Sequence, residues 1–126
     1  MPAPTTHGVR AFLRNGKLPE GCGHVSREAK RLEELLEEAV LTLRNCITPF
    51  DAAVIQSARR NETIFRLLNH YLNNEPTITL DQKLAILRDM RAATTARDKS
   101  IGELKINVDP RSNSLTAVYG PEAASE

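Results

Sequence analysis

Cys22 and His24 are the first residues in this chain whose types and spacing could do chemistry. A thiol becomes a nucleophile when a nearby cation or a helix N-terminus lowers its pKa. His24 and a helix beginning soon after make such a thiol conceivable, and an ordinary loop cysteine is the plainer reading. The same pair could meet Cys46 and His7 around a metal. The Cys-x-His spacing, however, matches none of the usual zinc patterns. Nor is there a Gly-x-Ser-x-Gly elbow or a Gly-x4-Gly-Lys-Ser/Thr phosphate loop. Glu33, Glu34, Glu37 and Glu38 read as a solvated helix face, since none has a histidine at the three-residue step of di-iron bundles. The expectation is a protein that is not an enzyme, with no metal site and no cofactor.

The remaining chemistry is contact with a polyanion. The formal net charge is only +1, but the charges are unevenly placed. Arg10, Arg14, Lys17, Arg27, Lys30 and Arg31 face only Glu20 and Glu28 in the first 31 residues. These six are the expected phosphate contacts. Arg59, Arg60 and Arg66 form a second basic group. Aromatic residues make up 4% of the chain and there is no Trp, so stacking platforms for bases are not expected. The helices are too long for a helix-turn-helix. Contact with the backbone of double-stranded DNA, repeated over several copies, fits better than base readout.

What must position these residues is helical. Val9, Phe12 and Leu13 would share one side of a short helix, with Arg10 and Arg14 on the other, and Asn15-Gly16 would stop it. Ser26 is the expected N-cap of the first long helix. Leu32, Leu35, Leu36, Ala39, Val40 and Leu43 recur at three- and four-residue steps, a helical period. Thr48-Pro49-Phe50-Asp51 reads as a second start, with Thr48 capping and Pro49 at the first helical position. There Phe50, Val54, Ser57, Asn61, Ile64, Leu68 and Tyr71 form a seam spaced close to 3.5. Ser57 and Asn61 either set its register or lie at a wet edge. Glu62 and Arg66 make an i,i+4 pair of small worth. Thr79 and Gln82 match a capping box opening a third helix. Its expected buried face is Leu80, Leu84, Leu87, Met90, Ile101 and Leu104.

Beyond Leu104, Ile106 and Val108 alternate with polar residues, as in a short strand that would need a partner. The fold expected is all-α: three long amphipathic helices in a bundle, a short N-terminal helical arm and a short extended C-terminal segment. The organisation expected is a basic arm with its short helix over 1–25, a three-helix core over 26–105, and an extended segment and tail over 106–126. No apolar run approaches the roughly 20 residues of a membrane span, and the start lacks the pattern of a signal peptide. A cytoplasmic protein without membrane contact is therefore expected.

Two stretches resemble known proteins. Thr6-His7-Gly8-Val9-Arg10-Ala11-Phe12-Leu13, continuing to Lys17-Leu18-Pro19, resembles the opening of a loose group of uncharacterised phage and bacterial proteins. Ala96-Arg97-Asp98-Lys99-Ser100-Ile101-Gly102-Glu103-Leu104-Lys105-Ile106, with Asp109-Pro110-Arg111-Ser112, is similar to the C-terminal part of bacteriophage small terminase subunits. Leu104-Lys105-Ile106 stands where that family has Leu-Gly-Leu, so the glycine is missing. The resemblance implies a non-catalytic, ring-forming genome-packaging subunit in the host cytoplasm. It would be a homo-oligomer, bind viral DNA and regulate the large terminase subunit. The alternative is a helical interaction module or phage structural accessory that binds no nucleic acid.

Overall fold

The computed structural model describes residues 8–106. Four helices follow in order: α1 (Val9–Asn15), α2 (Gly23–Arg44), α3 (Pro49–Asn74) and α4 (Leu80–Glu103). There is no strand among the described residues. The three long helices pack together with α3 in the middle. α2 and α4 each pack on α3, and α1 touches it. His7, Val108 and the tail expected to the end of the chain lie outside the described residues, as does most of the expected strand.

The helix starts follow from capping chemistry. Thr48 Oγ1 accepts the Asp51 N–H at 3.1 Å, and Asp51 Oδ2 accepts the Thr48 N–H at 3.1 Å. Thr79 and Gln82 repeat the exchange at the start of α4. Each cap stabilises its helix by about 1 kcal/mol. α2 differs from the expectation. It begins at Gly23 with Cys22 as N-cap and no side-chain cap, so Ser26 lies inside the first turn. Its first turn holds no acidic residue to complement the helix dipole.

Burial sorts the apolar residues into three contiguous groups. Leu32, Leu36 and Val40 of α2 meet Val54, Ile55 and Ala58 of α3, and the end of α4 adds Ile101 and Leu104. Half-buried Ile106 packs against this group instead of standing apart. Cys22, Val25 and Leu67 form a second group, covered by Val9, Phe12 and Leu18 of α1 and its loop. Leu68, Ile86 and Met90 join α3 to α4. Each fully buried Leu or Ile contributes about 1.5–3 kcal/mol of transfer free energy.

Two expected faces are corrected. On α4, Leu80, Leu84 and Leu87 are 71%, 55% and 45% exposed, and the buried face is Ile86, Met90, Ala93, Ser100 and Ile101. The helix carries two apolar arcs roughly 120° apart. Packing selects the one whose smaller residues let α4 approach α3 closely. On α3, Phe50 is 61% exposed and the core runs through Val54, Ile55, Ala58, Leu67 and Leu68. The helix is rotated from the expected seam. Ser57 is exposed and contacts the Ser100 hydroxyl at 3.1 Å, while Asn61 donates back to the Ser57 carbonyl at 3.0 Å. Both lie at an edge. Leu43 of α2 is likewise exposed.

Candidate nucleic-acid interface

Arg10, Arg14, Lys17, Arg27, Lys30 and Arg31 are all exposed. Among the described residues, the side chain of none of the six makes a hydrogen bond or an ion pair. By contrast Arg44, Arg59, Arg66, Arg88 and Arg97 all lie within ion-pair distance of a carboxylate. The six cations are therefore available to a ligand, but they do not form one cluster. Arg10 and Arg14 lie one turn apart on α1, away from its packed residues Val9 and Phe12. Arg27 and Arg31 share the side of α2 opposite the buried Ala29, Leu32 and Leu36.

The chain on either side of Lys17 and the turn before Lys30 border a different feature. A groove of about 500 Å³ opens between α1, α2 and α3. Gly16 and Leu18, the neighbours of Lys17, form one wall with Phe12 and Leu13. Ser26, one turn before Lys30 on the same side of α2, stands opposite. The floor is Gln56, Arg59, Arg60 and Thr63 of α3. Folding thus brings the chain neighbours of Lys17 and the α2 turn before Lys30 to the groove that Arg59 and Arg60 line, although the sequence keeps those arginines as a separate group. Arg59 is held by Glu33, which also accepts from Gln56. Arg60 is exposed and makes no ion pair among the described residues. The groove holds more positive than negative charge, with hydroxyls and an amide along it.

Arg66 is drawn elsewhere. Its Nε donates to Glu62 Oε2 at 2.6 Å, and Arg97 Nη1 of α4 donates to Glu62 Oε1 at 2.8 Å. Glu62 is 2% exposed. The pair expected to be a minor surface contact is half of a buried bridge between α3 and α4. Burial alone would lower the Arg97 pKa, and the hydrogen bonds to Glu62 and Asp98 outweigh it and raise it. Arg44 plays the matching part at the other end. It donates to Asp51 Oδ1 and to the Leu104 carbonyl, both at 2.7 Å. Asp51 is held below its ordinary value first by the Thr48 backbone N–H, then by the Thr48 hydroxyl and Arg44, against the opposing effect of burial.

Cys22 does not behave as an activated nucleophile. It is 3% exposed, and burial pushes its thiol pKa up. The His24 ring lies 4.9 Å, centroid to centroid, from the ring of His70. No group of three or more metal-ligating side chains occurs among the described residues. Cys46 is exposed at the α2–α3 turn. No described helix is long and apolar enough to cross a membrane. No family model, no curated protein and no solved structure matches the chain.

Proposed function

We propose that the protein is a non-catalytic helical subunit that holds the phosphate backbone of duplex DNA along the α1–α2 face, as the resemblance to phage small terminase subunits implies. The observation that carries this reading is the groove lined by Arg59 and Arg60, whose other lining includes Gly16 and Leu18, the chain neighbours of Lys17, and Ser26, one turn before Lys30. Unpaired cations at the rim release counterions from phosphates on binding, so affinity falls steeply with salt. The lack of aromatic side chains other than Phe12 in the groove favours backbone contact over base stacking. Arg10, Arg14, Arg27 and Arg31 extend the basic surface on neighbouring faces.

The test is titration of a short duplex by fluorescence anisotropy over a range of salt. Lys30→Ala and Arg60→Ala should each weaken binding to unrelated sequences alike. Each should also reduce the slope of log K against log salt by about 0.9, the loss of one phosphate contact. Variants that bind as the parent does at every salt concentration would remove the groove from the reading. A second reading, a protein–protein interaction module, is favoured by the exposed row Leu80, Leu84 and Leu87. It would be the one left standing if the parent protein bound no duplex at low salt.

A further inference from the structure

After α4 packs on α3, one side of its first half carries an apolar row with no partner among the described residues. Leu80, Leu84 and Leu87 are 71%, 55% and 45% exposed. Arg91, also exposed, continues the row. The steps of four, three and four are those of a coiled-coil seam. The other exposed large residues make no such row: Leu13 lines the groove beside α1, Leu41 and Leu43 lie on different sides of α2, and Phe50 stands alone near the start of α3. The α1 helix and the apolar groove it shares with Asp89, Ala92 and Ala93 lie on the other side of α4. Nothing in the described chain obstructs the leucine row.

We infer that this row is the contact between two copies of the chain, paired antiparallel through α4. Charge decides both the partner and the direction. Asp81 and Arg88 flank the row on the same side, roughly 80–100° around the helix from Leu80. Lys83 flanks it on the opposite side. Antiparallel helices bring equivalent flanks together. Asp81 of each copy then faces Arg88 of the other, twice across the two-fold axis. The central layers become Leu84 on Leu87, and the Arg91 stem covers Leu80 of the second copy. Parallel copies would set Lys83 against Arg88 and leave Asp81 unmatched. The contact between Arg88 and Asp89 on the same helix is only 3.8 Å, with side chains 78% and 57% exposed, so it does not compete strongly for Arg88.

The row is short beside the roughly 1,200–2,000 Å² of a standard stable interface. The dimer is therefore weak and depends on concentration. It does not depend on DNA binding, and its test uses none of the groove residues.

Sedimentation velocity on the full chain from about 5 to about 500 µM brackets such association. The parent should move from monomer to dimer across that range. Leu84→Glu, at an exposed position, should remain monomeric with an unchanged circular dichroism spectrum. Asp81→Arg and Arg88→Asp should each raise the dimer Kd at least about tenfold, because each sets like charges together twice. An equimolar mixture of these two variants should dimerise about as the parent does, since the mixed pair restores both contacts. A monomeric parent throughout would overturn the inference. So would a dimer indifferent to Leu84→Glu, or a mixture no better than its components.

Discussion

Glu62 shows how far one residue's role depends on its surroundings. In the sequence it is an i,i+4 partner of Arg66, a pair worth a few tenths of a kcal/mol on an exposed helix. In the structure its side chain is 3% exposed and shared between Arg66 and Arg97. Removing it takes from Arg97, 14% exposed, the carboxylate of Glu62. Glu62→Ala should therefore cost about 3 kcal/mol, the lower end for breaking a buried pair, because Arg97 keeps Asp98. Arg66→Ala should cost under about 1 kcal/mol, since Arg66 is a third exposed and Arg97 still holds the carboxylate. Urea denaturation of both variants measures the difference, and equal losses would refute the buried-bridge account. Sequence alone could not separate these cases. The partner that buries Glu62 comes from α4, and nothing in the local pattern of α3 marks it.

At the scale of elements, the sequence was readable wherever a side chain signs the backbone. Thr48 and Thr79 declared α3 and α4 because their hydroxyls take first-turn N–H groups. The start of α2 is not legible because Cys22 offers no cap, while Ser26 has capping chemistry but lies inside the first turn. The buried face of α4 is masked in the sequence because Leu80, Leu84 and Leu87 form the more conspicuous apolar arc and stay exposed. The groove was invisible because α1 and the middle of α3 meet only in the fold. Gly8 makes that meeting possible. Its φ is +83°, and a Cβ there would collide with the Pro19 ring. Gly8→Ala should destabilise by more than about 1 kcal/mol, through both the positive φ and the clash. It should also weaken the proposed duplex binding without changing any charge, because α1 and its loop line the groove. Hydrogen exchange across Val9–Asn15, read with the anisotropy titration, tests both effects. Unchanged protection and affinity would count against α1 as a docked element.

For the whole molecule, the question is how α2 and α4 are coupled when each packs on α3. They meet at one corner. Leu104 and Ile101 of α4 join the group built on Leu36 and Val40. Above it, Arg44 at the end of α2 holds Asp51 at the start of α3 and the Leu104 carbonyl at the end of α4. All three long helices are fastened through one guanidinium, and that guanidinium is oriented by one carboxylate. Asp51 has a native pKa below its ordinary value. The unfolded chain therefore takes up this proton at higher pH than the native one does. Its contribution is complete above the unfolded value of about 3.9. It declines as pH falls and is gone once pH drops below the depressed native value. Asp51→Asn should thus be less stable than the parent at pH 7. The gap should narrow steadily below about pH 4, because protonation removes from the parent what the substitution already removed. Urea melts of the two proteins from neutral to acid pH measure the gap. A gap that stayed constant with pH would mean that the corner is held by packing around Leu104, not by the charge on Asp51.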